Sequence, residues 1–139
     1  FSKFTSFLEL LQNKLEKNKK EFVPMIIGKT SIQQRAEHVK DFQSGKHNLL
    51  LINVDAGKEA LTLDRAEAMI FPDIYPPASD IQQAEDRFVS TTEARADKPH
   101  KIYRLMMKDS YDEQVYKLVD EQASLTDLLN DYKKYLERG

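Results

Sequence analysis

Gly28-Lys29-Thr30-Ser31 sits between an apolar run and a helix-like polar stretch, so its lysine is a candidate for phosphate chemistry. A loop that cradles nucleotide phosphates needs G-x-x-x-x-G-K-[ST], because several backbone N–H groups must curl around the phosphates before the lysine arrives. Counting back five from Gly28 lands on Val23, with Pro24 beside it, and no G-x-G-x-x-G occurs anywhere. The triplet therefore lacks the loop that would make it an ATP site in its own right. A second candidate lies in "DIQQAEDRFV", where Gln83 and Arg87 stand four apart and share a helix face. Arginine suits a triphosphate because its planar fork donates several hydrogen bonds and keeps its charge. The competing reading pairs Arg87 with Asp86 or Glu85 on a solvated helix face. Metal chemistry finds no support: His38, His47 and His100 share no ligand spacing, and there is no cysteine.

The elements that must position these residues follow from hydrophobic periodicity. A chain of 139 residues, 40% hydrophobic and 32% charged, is sized for a single core. Its net charge of −2 supplies no bulk basic field for nucleic acid, although backbone amides and helix N-termini hold phosphates without one. No apolar run approaches the roughly 18 residues that cross a bilayer, so no membrane partner is expected. A start at Phe-Ser-Lys-Phe without Met is what a fragment would show.

Residues 4–18 place Phe4, Phe7, Leu8, Leu11 and Leu15 on one helical face. "EFVPMIIG" reads as a strand, followed by a helix over about 31–44 with a Thr30-x-x-Gln33 capping box and Gly45 at its end. "NLLLINV" (48–54) is nearly uniformly apolar, as in a strand buried on both faces, and "EAMIFP" (67–72) is a further strand. A helix capped by Ser79-x-x-Gln82 and a strand "HKIYRLMM" (100–107), with Met106 and Met107 in the core, come next. Ser110-x-x-Glu113 caps another helix, to about 122, and Ser124-x-x-Asp127 opens a last one with a Leu125, Leu128, Leu129, Tyr132 and Leu136 stripe. Alternating strands and helices predict an α/β fold with a mostly parallel sheet between helical layers. Ligands of such sheets bind at the carboxyl ends of the strands. That edge here gathers Gly28–Ser31, Asn53–Leu63, Asp73–Ser79 and Lys108–Ser110.

"FSKFTSFLELL", "GKTSIQQRAEHVKDFQ", "LLLINVDAGKEALTLDRAEAMIFPD", "DIQQAEDRF" and "KIYRLMMKDSYDEQVYKLVDEQ" fall in the order of family motifs. Together they resemble the C-terminal motor lobe of Swi/Snf-type superfamily 2 helicases over nearly the whole chain. The resemblance implies a RecA-like three-layer sandwich over 1–122, its first strand upstream of Phe1, and a C-terminal helical extension over 123–139. It implies a lobe that closes over ATP and Mg²⁺ held mainly by an N-terminal RecA-like partner lobe, inactive by itself. Gly57, Lys58, Glu59, Gln83 and Arg87 would complete the ATP site. Ser2, Lys3, Gly28, Thr30, Ser31, Asn53, Asp55 and Ala56 would track the phosphate backbone of DNA.

Departures from the family pattern are concentrated in the fifth and sixth motifs. Asn53-Val54 replaces Ser-Thr, Lys58 and Ala60 replace glycines, and Thr62 replaces Asn. Gln83, Ala84, Asp86 and Arg87 match the sixth motif, but Ser90 stands where a second finger arginine belongs. Arg87 and, from the extra residues of "STTEARADKP", Arg95 are the catalytic candidates that would stabilise charge on the γ-phosphate. The wording resembles bacterial or phage-encoded members, implying the cytoplasm of a bacterium or infected host. A degenerate interaction module, with Ser90 marking lost catalysis, is the alternative.

Overall fold

The computed structural model describes residues 1–58, 61–73, 80, 81, 83–85 and 101–120. Helix α1 spans Thr5–Lys19 and leads through a buried Val23-Pro24 pair into the short strand β1, Met25–Ile26. Helix α2, Ile32–Gln43, follows, then β2, Leu51–Ile52, and a single 3-10 turn at Ala56–Lys58. Strand β3, Ala68–Phe71, precedes a helical stretch that includes residues 80, 81 and 83–85, and β4, Lys101–Arg104, leads to α3, Tyr111–Asp120.

Among the described residues the strand pairs are parallel. Met25 and Ile26 pair with Leu51 and Ile52, and Ala68 through Phe71 pair with Lys101 through Arg104. Phe1 and Ser2 lie between these two pairs. The Ser2 amide donates to the Ile52 carbonyl (3.0 Å), and the Ser2 carbonyl accepts from Val54 (2.9 Å). On the other side, the Phe1 nitrogen donates to the Ile70 carbonyl at 2.8 Å.

Strand periodicity sorts the core. Val23, Ile27 and Leu51 face α1 and pack on Leu8, joined by Leu11 and Leu15. Their alternates Ile26 and Ile52 face α2 and pack on Phe42 and Leu63. Met69 and Phe71 pack on Ile81, Ala84 and Val115, and Phe1 and Ala66 adjoin this cluster as well as the Phe42 one. The α1 stripe is shorter than expected: Phe4 is 55% and Phe7 39% exposed. The helix starts only at Thr5, so Phe4 sits at its N-cap, outside the packed face.

Two caps differ from their sequence readings. Ser31 and Gln34, not Thr30 and Gln33, form the capping box of α2. Thr30 is diverted because its hydroxyl accepts the Ile27 amide (2.9 Å) in the preceding turn. At α3 the Ser110 hydroxyl accepts from Asp112 (3.1 Å), while Glu113 reaches back to the Asp109 amide (3.0 Å) rather than to Ser110. Met106 and Met107 are not core: they lie beyond β4 and are 48% and 70% exposed. Leu105 makes the final bond to β3, through Phe71, and the chain then turns out toward solvent. The caps expected at Ser79 and Ser124 and the helical extension over 123–139 fall outside the described residues.

Candidate functional site

Parallel strands leave their carboxyl ends on one edge, and the segments ending there are tied together by two polar side chains. The first is Asn53, buried at the end of an all-apolar strand. A buried amide must satisfy both its ends. Its nitrogen donates to the Lys3 carbonyl (2.9 Å) and the Thr5 hydroxyl (3.2 Å), and its oxygen accepts from the Asp55 (3.0 Å) and Ala56 (3.4 Å) amides. The second is Arg35 on α2. Its guanidinium donates to the Thr30 carbonyl (2.9 Å) and, each at 3.3 Å, to the carbonyls of Ile27, Gly28 and Ala56. Asn53 thus joins the opening segment to the 53–56 turn, and Arg35 joins that turn to the β1 exit loop.

Lys3 stands at the centre of this arrangement. Its amide donates to the Asp73 carboxylate (2.9 Å), its carbonyl is held by Asn53, and its ammonium lies 2.7 Å from a carboxylate oxygen of Asp55. The other oxygen of Asp73 is buried with no hydrogen-bond partner among the described residues.

The residues expected to face DNA therefore divide. Ser2, Asn53 and Ala56 are buried, and their polar groups are engaged within the lobe. Ser2 is a strand residue whose hydroxyl accepts the Phe4 amide (3.1 Å), Asn53 is the clamp just described, and the Ala56 backbone is held by Asn53 and Arg35. The Thr30 amide and hydroxyl close the turn on Ile27, and the Ser31 amide and hydroxyl build the helix cap, so both serve the loop's shape. Gly28 and Asp55 are exposed and Lys3 is partly so. A Cβ added at Gly28 would meet nothing within 4 Å, so its own surroundings do not require glycine.

Among the ATP candidates, Gly57 is buried and donates its amide to the Asn53 carbonyl (2.8 Å). A Cβ there would lie 3.1 Å from both Ile52 and Phe1, so the missing side chain makes room for the core rather than for a phosphate. Gln83 is exposed, while Glu59, Arg87, Arg95 and Ser90 lie outside the described residues.

Sequence reasoning missed a buried ion pair. Glu85 accepts from Arg104 through Nε (3.1 Å) and also through Nη2. Burial is the largest single influence and acts to lower the Arg104 pKa, but the interactions with Glu85 and Tyr116 together outweigh it and hold the guanidinium above its usual range. Glu85 is thereby committed to Arg104. The signal was available: Ile102 and Arg104 share the inward face of β4, and a charge there calls for a buried partner.

His38 and His47 flank Phe22 (6.0 and 5.8 Å between ring centroids), as ordinary polar residues do. Lys17 and Lys19 occupy the last turn of α1, at the amino end of the strands and away from this edge. Among the described residues no group of His, Asp and Glu is placed to hold a metal, and no helix is long and apolar enough to cross a membrane.

A parallel sheet flanked by helices, with polar loops converging on its carboxyl edge, defines an α/β lobe of the RecA-like type. Residues 1–91 match the helicase conserved C-terminal domain, and the chain belongs to that family. It is 30% identical over 139 residues to the ATP-dependent helicase ULS1 of Saccharomyces cerevisiae, covering 99% of this chain and 8% of that protein. It is 28% identical over 136 residues to the ATP-dependent helicase fft1 of Schizosaccharomyces pombe, covering 96% and 14%. The DNA repair protein RAD5 of Yarrowia lipolytica is 28% identical over 129 residues, covering 93% and 12%. The chain thus spans only a small part of the relatives it matches. The crystal structure of the C-terminal part of the Fun30 ATPase domain shares the fold, with a TM-score of 0.73 and 24% identity over 92% of this chain and 40% of that one.

Proposed function

We propose that this chain is the C-terminal motor lobe of an ATP-dependent DNA helicase or translocase of the Swi/Snf type. The observation that carries this reading is the convergence of three separate segments, at Lys3, Gly28–Ser31 and Asn53–Gly57, on one carboxyl edge, where Asn53 and Arg35 bind them to one another. Loops tied together in this way hold fixed positions relative to one another and move as a unit when the lobe moves. Lys3 and the exposed Gly28 turn would face the phosphate backbone of DNA, with the N-terminus of α2 favouring negative charge nearby. Buried Ser2, Asn53 and Ala56 would act behind them, setting geometry rather than touching DNA.

ATP and Mg²⁺ would be held chiefly by an N-terminal RecA-like lobe in the same protein, with Gln83 and Arg87 reaching toward the nucleotide from this one. When bound, the nucleotide supplies a phosphoanhydride whose hydrolysis drives closure and reopening of the two lobes. Arg87, with Arg95 as a second donor, would stabilise the charge that develops during that step. The three relatives are eukaryotic, and they lend the bacterial or phage context no support.

DNA-stimulated ATP turnover by the full-length protein tests the reading. Arg87→Ala is expected to lower turnover by about 10³-fold, the scale of a lost arginine finger. The 139-residue chain alone is expected to show none. Turnover indifferent to both Arg87 and Arg95 would favour a degenerate interaction module instead. Robust turnover by the isolated chain would overturn the two-lobe assignment.

A further inference from the structure

Lys3 is a cation whose backbone the candidate site holds from two sides. Its amide is fixed by Asp73 from the end of β3, and its carbonyl by Asn53 from the end of β2. Two elements thus pin one backbone unit, and the side chain leaves it from a set position at the carboxyl edge. The ammonium then meets Asp55, at 2.7 and 2.9 Å from its two oxygens. Asp55 is no loose partner either, because its own amide is bound to the Asn53 side chain at 3.0 Å. The pair is nonetheless open to water, with the lysine and aspartate side chains 33% and 48% exposed.

These facts combine in a specific way. A carboxylate presents two anionic oxygens to an ammonium much as a phosphodiester does. Exposed ion pairs are weak, because water screens them and competes for both partners. A rigidly presented lysine in a weak, solvent-open pair is therefore ready to exchange one anion for another. Phosphate contacts to DNA are made by lysines of this kind, and each releases counterion and steepens the dependence on salt.

We propose that Asp55 is an intramolecular stand-in for a DNA backbone phosphate: it holds the Lys3 ammonium until a phosphate displaces it, and so limits the lobe's affinity for DNA. The proposal rests on the DNA-contacting reading above and adds the group that restrains it. The displacement is an exchange of ion-pair partners, with no bond made or broken and no proton moved. A repelled Asp55 carboxylate is left beside the bound strand, so its charge opposes binding twice, by competition and by repulsion.

The test measures binding of the full-length protein to a short fluorescein-labelled DNA duplex, and to its separated strand, across a salt series. Asp55→Asn is expected to tighten binding about two- to fivefold at low salt, the range an exposed pair allows. It is also expected to steepen the slope of log K against log salt by up to about 0.9, the weight of one phosphate contact that the neighbouring Asp55 charge otherwise offsets. Glu21→Gln removes the same charge from an exposed position at the opposite edge, just before β1, and is expected to change neither. Lys3→Ala is expected to cost more in the Asp55→Asn background than in the native one, and to abolish the gain. Circular dichroism of each variant confirms folding. If native protein binds DNA and Asp55→Asn leaves affinity and slope unchanged, or only matches Glu21→Gln, the proposal is overturned and the DNA-contacting reading stands. If the native protein binds no DNA, both fall.

Discussion

The two halves of the sheet are built differently. Around β1 and β2, α1 covers one face and α2 the other, so Ile26, Leu51 and Ile52 are all buried. Around β3 and β4, the described helices cover one face only. Met69 and Phe71 point inward while Ile70 and Tyr103, paired across the strands, are each 48% exposed. The clamped loops, at Gly28, Asn53 and Lys3, belong to the doubly covered half. A scaffold packed from both sides can hold polar loops in fixed positions, because the strands beneath them have nowhere to shift. The singly covered half instead buries the Glu85–Arg104 pair, which fixes the 83–85 helical turn to β4.

Three substitutions can break or sharpen that contrast. Glu85→Ala strands the Arg104 charge in its partly buried site and is expected to cost about 3–5 kcal/mol in urea denaturation. A much smaller loss would mean that the singly covered half does not rely on this pair. Leu8→Ala opens a cavity between α1 and the sheet, with an expected cost of roughly 3 kcal/mol by the same measurement. Because α1 shares this core with the strands that carry the clamped loops, DNA affinity of the folded variant should weaken as well. Ile70→Ser alters the outer face of β3 and is expected to stay within about 0.5 kcal/mol of the native value. A loss above about 2 kcal/mol, the cost of unburying an isoleucine, would show that this face is covered and erase the asymmetry.

Half of this contrast was legible in the chain. "NLLLINV" is apolar from Leu49 to Ile52 and becomes a strand buried on both sides, as expected of a doubly covered parallel strand. Ala68-Met69-Ile70-Phe71 is equally apolar in sequence, and only the structure shows it buried at alternate residues. The identity of the cap at α2 was not legible, because Thr30 and Ser31 carry equivalent hydroxyls and only the turn geometry assigns each its partner. The role of Asn53 was hidden for a related reason. It stands where the family pattern has small hydroxyl residues, so a phosphate-facing position was the natural expectation. A polar residue ending a wholly buried strand, however, has to find its partners inside, and those partners, at Lys3 and Thr5, are about 50 positions away. The family resemblance pointed to these segments, while burial decides which of their residues reach solvent.

Phe1 and Ser2 also bear on the order of events in folding. Helix α2 and its neighbouring strands bring Met25 to Leu51, and β3 meets β4 through Ala68 and Lys101. The Phe1 bond to Ile70 is one link between these two units, and it spans 69 positions. Closing so long a loop costs more chain entropy than forming either unit, and contacts of this separation slow folding. The halves are expected to acquire their own packing first, and the Phe1 ring, 6.0 Å from Phe71, to lock last. The seam that joins the two kinds of sheet is in this sense expected to close late, and the clamped loops to reach their final positions with it.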